Sequence, residues 1–304
     1  MRTLEFKVPE EYQGKQALHF LKRYAGLSSR IIRRLKGVPN GMLLNGEHIR
    51  TVDVLHAGDI FTINIPPEST ELPKYDFFST DVNTRDEAED LFKEIEILFE
   101  DEDILVVSKP GILSVHQTHN HRGDTLADFV QERMHKKGGD TVFRAVGRLD
   151  KGTSGIVVCA LNPFSASKLQ GNIKKTYYAF PTGFFLGAGT IDAPIYRPDP
   201  VKVRRSVDER GDRAVTHWKT IKTGDDFSFL EINLETGRTH QIRVHFANLG
   251  APLLGDRLYG NPDCRIKRQA LHCGRAELTH PVTGKKMEFL APLPDDMNNI
   301  LRLL

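Results

Sequence analysis

The sequence has few cysteines, almost no tryptophan and no long apolar run. Three cysteines and one tryptophan occur in 304 residues. Because Cys159, Cys264 and Cys273 are odd in number and not closely paired, neither a disulfide framework nor a cysteine zinc site is expected, and we expect all three to be buried. There is no run of about 18 apolar residues and no apolar signal core. We therefore predict a cytoplasmic protein without membrane association.

An excess of one charge is also missing, since the formal net charge is +2. Such a total does not by itself indicate a nucleic-acid partner, but the distribution of charge is uneven. Residues 22–50 carry seven lysines and arginines against one acid, Glu47, whereas residues 81–103 are strongly acidic. The two stretches are therefore expected to face different partners.

Residues 1–66 have the pattern of a small folded unit. Apolar side chains at helical spacing predict a helix over about 14–25, and Ser28 or Ser29 can cap a second helix. The pair Asn45-Gly46 between apolar runs predicts a hairpin, and a strand is expected over 59–65. With 39% hydrophobic residues, the chain can form this unit and one larger domain, each with its own core.

The second helix of this unit is two-faced. Ile31, Ile32 and Leu35 can be buried together, while the other face carries the cations Arg30, Arg33, Arg34 and Lys36. The stretches 27–36, 44–46 and 57–59 make the unit similar to the S-four-type RNA-binding domain, named after a ribosomal small-subunit protein. This resemblance implies that the four cations bind structured RNA. An ordinary solvated basic helix has the same pattern.

The remaining chain divides into a linker and a second domain. Residues 67–93 are rich in proline, serine, threonine and acid, which is typical of a linker. Residues 94–304 contain many short apolar runs, with helices expected over about 125–134, 162–173 and 239–249. Because the regular βαβ alternation is missing, we predict an α+β domain with a mixed, mainly antiparallel sheet.

Asp150 is the first candidate for chemistry. It stands in Gly147-Arg-Leu-Asp-Lys-Gly-Thr-Ser-Gly155, directly before the apolar run 156–160. A carboxylate in this setting is held at a strand edge by the backbone. Taken alone, the same pattern also fits an ordinary turn in which the aspartate bonds its own backbone.

Further stretches place Asp150 in a wider pattern. Arg148-Leu-Asp150 with Thr153-Ser-Gly155, Lys175-Thr-Tyr177 with Ala179, Thr236 to His245, and Leu271-His272 follow one another in the chain. In this order they resemble the pseudouridine synthases of the large-subunit ribosomal RNA class, the RluA and RluD type. The resemblance covers about 95–294, and this family commonly carries the S-four-type module in front.

The resemblance implies a role for each matching residue. Asp150 corresponds to the catalytic aspartate, Tyr177 to the active-site tyrosine, and Arg243 to the arginine that pairs with the aspartate. Arg148 corresponds to the residue that fills the space left by the flipped uridine, and Leu271 to an apolar side chain of the uracil pocket. No metal and no cofactor is implied.

The chemistry of the residues agrees with these roles. A carboxylate can attack the sugar or remove a sugar proton, and the sequence leaves both routes open. A buried carboxylate needs a cation such as Arg243 to stay ionised, and the ring of Tyr177 can stack on the detached uracil. Otherwise, Tyr177 fits a core or sheet position and Arg243 a surface ion pair.

Several residues depart from the pattern or admit another reading. The family usually has histidine at the position of Gly147, and this difference bears on how Arg148 is held. It also usually has proline at the position of Gln117. His240 and His245 fit hydrogen-bonded structural roles. The trio His116, His119 and His121 allows a zinc reading, which the lack of other converging ligands disfavours.

Together these observations predict a cofactor-independent isomerase that converts uridine to pseudouridine in structured RNA. Large-subunit ribosomal RNA is the expected substrate, transfer RNA is possible, and a monomer is expected. One alternative is a catalytically inactive RNA-binding protein of ribosome assembly. Another is a nucleoside hydrolase that pairs Asp150 with a second acid about 5 to 10 Å away.

Overall fold

The computed structural model describes residues 2–66, 90–117, 123–138 and 142–304. Within these ranges, no helix is both long enough and apolar enough to span a membrane. The linker predicted for 67–93 lies outside the described residues except for 90–93. At its C-terminal end, Leu91 and Phe92 pack against the core of the large sheet described below.

The N-terminal module, residues 2–65, consists of a four-stranded sheet and two helices. Its strands are β1 (Arg2–Lys7), β2 (Met42–Leu44), β3 (Glu47–His48) and β4 (Ile60–Ile65), in the spatial order β1-β4-β2-β3. Its helices are Ala17–Arg23 and Ser29–Lys36, preceded by a 3-10 turn at Glu10–Tyr12. All of its strand pairs are antiparallel.

Local sequence accounts for the shape of this module. The hydroxyl of Ser28 accepts a hydrogen bond from the Ile31 N–H and caps the second helix. Asn45 and Gly46 have φ angles of 50° and 87°, so they form the predicted hairpin turn between β2 and β3. The predicted apolar face of the second helix is buried. Helix, hairpin and last strand thus follow the sequence pattern.

The rest of the chain forms a ten-stranded sheet and a small two-stranded one. Eight strands lie in the order β10-β13-β14-β9-β15-β8-β6-β5, with β16 beside β15 and β7 beside β8, while β11 pairs with β12. Their bounds are β5 (Glu96–Glu100), β6 (Ile104–Lys109), β7 (Ala145–Val146), β8 (Ser154–Ala160), β9 (Ile173–Ala179), β10 (Ala188–Asp192), β11 (Ile195–Tyr196), β12 (Ser206–Val207), β13 (Val215–Thr223), β14 (Ser228–Leu234), β15 (Leu271–Thr279) and β16 (Lys286–Leu290). Among the named strands of the described residues, β8 and β15 pair in parallel and all other pairs of these sheets are antiparallel. The predicted α+β class with a mixed, mainly antiparallel sheet is confirmed.

The large sheet is accompanied by the helices Leu126–Lys136, Pro163–Leu169, Gln241–Asn248 and Asp295–Leu301. Two of them differ from the sequence prediction. The helix predicted over 162–173 ends at Leu169, because the chain turns into β9 at Ile173. The helix predicted over 239–249 begins only at Gln241, because His240 has a left-handed φ of 59°.

The N-terminal module and the large-sheet domain share buried contacts. Phe164, from the helix after β8, is 1% exposed and belongs to the core of the module. Arg2 of the module donates two hydrogen bonds to the carboxylate of Asp103, at 3.1 and 2.8 Å, and Asn162 donates a third. Lys168 lies against Gly26 so closely that a Cβ there would clash. The module is therefore docked on the large-sheet domain.

The cysteine prediction is wrong for one residue of the three. Cys159 and Cys273 are buried in the core of the large sheet, as expected. Cys264 is exposed, because it lies in a short turn between Asp263 and Ile266. Turn tips face solvent, since buried loops leave backbone groups unsatisfied.

Candidate active site

Asp150 lies in the loop that leads into β8, as the sequence predicts. Gly152 and Gly155 in this loop have φ angles of 92° and 106°, which favour glycine. A side chain at Gly152 would meet the amide of Gln269, and one at Gly155 would meet the backbone of Cys273. The two glycines therefore allow the Asp150 loop to pack directly against the chain that enters β15.

Arg268 also fixes the Asp150 loop by hydrogen bonding. Its guanidinium binds both carboxylate oxygens of Asp296 at 2.8 Å, and its Nη1 donates to the carbonyls of Gly152 and Leu271, at 2.9 and 3.2 Å. Gln269 adds a hydrogen bond of 2.8 Å to the carbonyl of Lys151. Sequence reasoning missed these hydrogen bonds, because no local pattern connects Arg268 with a loop more than 100 residues earlier.

Arg243 contacts Asp150, but its principal partner is Asp256. Nη1 of Arg243 lies 3.4 Å from Oδ2 of Asp150, while Nε and Nη2 bind the two oxygens of Asp256 at 2.7 and 2.9 Å. Arg243 is buried, and its guanidinium also lies 5.1 Å from the ring centre of Tyr259. The predicted Asp150–Arg243 contact is therefore present, as the third contact of a guanidinium fixed by Asp256.

Asp256 is a buried, ionised anchor. Its side chain is 0% exposed, and Oδ1 accepts further hydrogen bonds from the N–H groups of Leu258 and Tyr259. Burial opposes its ionisation, but Arg243 and these N–H groups hold the pKa of Asp256 below its ordinary value. The sequence signal for it was Gly255-Asp256-Arg257, which sequence reasoning did not assign.

This state of Asp256 also bears on the hydrolase alternative. A glycosidase needs a second carboxyl group that can donate or accept a proton beside the scissile bond. Asp256 is the acid that Arg243 links to Asp150, yet it is ionised, fully buried and occupied by four hydrogen bonds. It cannot serve as that second acid.

Tyr177 and Leu271 line the same face of the large sheet. In the antiparallel β9–β15 pair, Tyr177 is opposite Cys273 and Ala179 is opposite Leu271, so Tyr177 and Leu271 are diagonal neighbours. They are 8% and 4% exposed. Burial, and then Cys273 and Asp150, raise the pKa of Tyr177 well above its ordinary value, so its hydroxyl stays protonated at neutral pH.

Arg148 is exposed, two residues before Asp150. It follows Gly147, which has a φ of 68° and whose carbonyl accepts a hydrogen bond from Nζ of Lys175. A Cβ at Gly147 would lie 3.6 Å from the Lys175 side chain, which is ordinary contact. The left-handed backbone, and not lack of space, is what favours glycine where the resembling family has histidine.

His240 and His245 form the expected hydrogen bonds. His245 is fully buried and bonds Thr216 and the carbonyl of Ala193, both at 2.9 Å. His240 bonds the hydroxyl of Tyr259 at 2.9 Å. Its other nitrogen, Nε2, lies 3.9 Å from Oδ2 of Asp150, a closeness that sequence reasoning did not foresee.

The predicted RNA-binding cations lie together on the helix Ser29–Lys36. Arg30, Arg33 and Lys36 are exposed and Arg34 is half-buried. Arg30 and Arg34 lie near Arg144 of the large-sheet domain, since both lower the pKa of Arg144 after the larger effect of its burial. Arg144 directly precedes β7, which leads to Arg148 and Asp150. Cations of the N-terminal module thus lie near Arg144, which precedes Arg148 and Asp150 closely in the chain.

Two groups of side chains have the residue types of metal ligands. Of the zinc trio, His116 is half-buried against Phe143, while His119 and His121 lie outside the described residues. Asp101, Asp103 and His280 have ligand atoms within 4.8 Å of one another. Their hydrogen bonds account for this cluster: His280 bonds Asp101 at 2.7 Å, and Arg2 holds Asp103.

Known RNA pseudouridine synthases are similar to this chain. The model of the RNA pseudouridylate synthase family matches residues 103–248. The uncharacterized RNA pseudouridine synthase YjbO of Bacillus subtilis is 35% identical to this chain, over 93% of this chain and 98% of the relative. Ribosomal large subunit pseudouridine synthase D of Haemophilus influenzae is 37% identical, over 73% of this chain and 74% of its own length.

A solved structure supports the same assignment. Human RNA Pseudouridylate Synthase Domain Containing 1 superimposes with a TM-score of 0.53 at 27% identity, covering 66% of this chain and 84% of the human chain. This chain therefore belongs to the RNA pseudouridine synthase family, whose members are isomerases that convert uridine to pseudouridine.

Proposed function

We propose that this protein isomerises uridine to pseudouridine in large-subunit ribosomal RNA, with Asp150 as the catalytic carboxylate. The observation that carries the proposal is the contact between partly exposed Asp150 and the buried guanidinium of Arg243, which Asp256 fixes in place. A relative named for the ribosomal large subunit supports the choice of RNA. Transfer RNA is the second candidate substrate.

The reaction assigns a task to each side chain. The bond between C1′ of the ribose and N1 of uracil breaks, with its electron pair going to N1, and the uracil turns. C5 then bonds to C1′, the hydrogen on C5 leaves as a proton, and N1 takes up a proton, so the product is an isomer of uridine. Asp150 acts on the ribose while Arg243 holds its carboxylate in place and offsets its charge. Tyr177 and Leu271 supply the surface on which the detached uracil turns, because an aromatic ring stacks on a base. Arg148 fills the place that the flipped uridine leaves.

The N-terminal module is proposed to bind the same RNA as an S-four-type domain. Arg30, Arg33 and Lys36 are exposed on one helix, and the docking through Phe164 and Arg2 holds that helix beside Arg144. Guanidinium and ammonium groups in such a row suit RNA phosphates.

We further propose that the enzyme acts as a monomer in the cytoplasm. All of the side chains assigned to the reaction come from one chain. Light scattering in solution, with and without RNA, tests the oligomeric state. A dimer whose dissociation abolishes activity would contradict it.

Release of tritium from RNA labelled at C5 of uracil tests the reaction. That carbon loses its hydrogen only when the new carbon–carbon bond is completed, so the wild type should release tritium and Asp150→Asn should not. Asp208→Asn is the matched control, because Asp208 also pairs with an arginine, Arg210, at the surface. It should retain full activity.

Each other outcome points to a different function. Free uracil as product would indicate a hydrolase. Binding of ribosomal and transfer RNA without tritium release from either would indicate the inactive RNA-binding alternative. Release by Asp150→Asn at the wild-type rate would remove Asp150 from the mechanism.

Salt-dependent RNA binding tests the basic helix. Arg33→Ala with Arg34→Ala should weaken binding and lower the slope of log K against log salt by about 2, because each lost phosphate contact releases one fewer counterion. The control replaces Lys285 and Lys286, two exposed cations of the β15–β16 hairpin. Equal slopes for the helix variant and the wild type would remove this helix from the RNA interface.

A further inference from the structure

Both contacts of Asp150 with charged or ionisable side chains in the described residues converge on the same oxygen. Oδ2 lies 3.4 Å from Nη1 of Arg243 and 3.9 Å from Nε2 of His240. The second distance exceeds a hydrogen bond, which is common for catalytic contacts in the absence of substrate. A small movement of the side chain would bring Nε2 within bonding distance.

The hydrogen bonds around Tyr259 decide which nitrogen of His240 carries a proton. The Tyr259 oxygen accepts a hydrogen bond from the N–H of Arg205 at 2.9 Å and lies 2.9 Å from Nδ1 of His240. Among the described residues, Nδ1 is the one acceptor placed to receive the Tyr259 hydroxyl proton. When the hydroxyl donates to Nδ1, a neutral imidazole carries its proton on Nε2, the nitrogen that faces Asp150.

The backbone of His240 is held in an unfavourable conformation. His240 has a φ of 59° and occupies the cap position of the helix Gln241–Asn248 without capping it by its side chain. Left-handed backbone is uncommon for a residue other than glycine, and such outliers cluster at functional sites. The side chain gives up the usual capping bond and lies between Tyr259 and Asp150 instead.

We propose that His240 is a positioning residue of this active site, which directs an Nε2–H donor set by Tyr259 at Oδ2 of Asp150. With Arg243 on the same oxygen, the carboxylate is held at Oδ2, and Oδ1 is the oxygen that acts on the ribose. The inference rests on the proposed catalytic role of Asp150.

Burial, with smaller effects of the surrounding charges, keeps His240 a neutral donor. Its burial lowers its pKa, and Arg243 and Arg205 lower it further, whereas Asp150 and Asp256 raise it, with a net decrease from the ordinary value. At neutral pH the imidazole is therefore uncharged. It orients the carboxylate by a hydrogen bond and does not transfer its proton to it.

His240→Asn tests the proposal. Asparagine tolerates left-handed φ and its oxygen can still accept from Tyr259, so the variant removes mainly the donor near Asp150. We expect kcat to fall about 10-fold to 100-fold, the loss expected for a hydrogen bond to a charged group, with little change in KM for RNA.

The matched control is His217→Asn. His217 also lies against a carboxylate, Glu235, at 2.9 Å, but has no contact with Asp150 within the described part of the chain. It should leave both kcat and KM unchanged. Thermal unfolding of each variant separates loss of folding from loss of alignment.

Tyr259→Phe is the second test and serves even if His240→Asn does not fold. It keeps the ring beneath Arg243 but removes the hydroxyl proton, so the imidazole can carry its proton on either nitrogen. We expect kcat to fall roughly 3-fold to 10-fold, since part of the population then lacks the Nε2–H donor. Wild-type kcat in Tyr259→Phe would overturn the tautomer argument.

Asp150→Asn, measured alongside, separates the two proposals. If Asp150→Asn is inactive while His240→Asn keeps the wild-type kcat, the role of His240 is wrong and that of Asp150 stands. If Asp150→Asn is active, the proposed function fails first.

Discussion

Asp256→Asn is the substitution that tests the anchor beneath the active site. Oδ1 of Asp256 accepts from Nη2 of Arg243 and from the N–H groups of Leu258 and Tyr259, whereas Oδ2 accepts from Nε of Arg243. The asparagine side chain has only one oxygen. If that oxygen takes the position of Oδ1, the amide nitrogen faces Nε of Arg243, and both of these groups are hydrogen-bond donors.

The expected loss of stability follows from burial. Removing one partner of a buried ion pair costs about 3–5 kcal/mol, because the remaining charge is left uncompensated. Arg243 keeps its contacts with Asp150 and the Tyr259 ring, so we expect the lower end, about 3 kcal/mol. At about 2–4 °C for each kcal/mol, the melting temperature should fall by roughly 6–12 °C.

The free energy of unfolding, from urea denaturation at pH 7, measures this loss. Asp208→Asn is the control, since Asp208 makes the same two-point contact with Arg210 at the surface and should unfold like the wild type. The difference for Asp256→Asn should also shrink below about pH 4. A lowered pKa stabilises the folded state above the ordinary pKa, and this stabilisation is lost as the carboxylate is protonated.

Two results would refute this reasoning. If Asp256→Asn unfolds within about 1 kcal/mol of the wild type, the pair contributes no more than a surface contact. If the loss is equally large at pH 3, it does not come from the charge of Asp256.

Two further predictions concern His272 and Phe164. Burial lowers the pKa of His272 to about 4, so the stability that its neutral form contributes should be complete above about pH 6.5 and lost between there and pH 4, at up to about 1.4 kcal/mol per pH unit. Urea denaturation of His272→Asn over this range should show a smaller slope, and an unchanged slope would contradict the assignment. Phe164→Ala should cost about 3–5 kcal/mol and weaken RNA binding while kcat at saturating RNA changes little, because the ring completes the core of the module. Phe184→Ala, at an exposed position, is its control, and equal RNA affinity of Phe164→Ala and wild type would contradict the docking argument.

Local patterns of sequence predicted the parts of the fold that local forces decide. The cap of Ser28, the Asn45-Gly46 turn and the α+β class depend on neighbouring residues or on the order of strands. The start of the helix at Gln241 was missed, because the left-handed backbone of His240 arises from tertiary contacts.

For the candidate site, too, the sequence predicted only what its motifs contain. It placed Asp150 and Arg243 in one site because the resembling motifs contain both. Asp256 and Arg268 were missed, since their tasks are to hold Arg243 and the Asp150 loop, and such support depends on distant pairing that spacing does not encode. Phe164 follows ordinary helix-start residues, and nothing local indicates that its ring enters another unit.

The burial of Phe164 in the N-terminal module has a consequence for synthesis of the chain on the ribosome. Ile65 ends the last strand of the module, and Phe164 is added about 100 residues later. At roughly 5–20 residues per second, the nascent module waits several seconds for the ring that completes its core. We therefore expect the module to reach full stability only after β8 and the following helix have emerged, although its residues are made first.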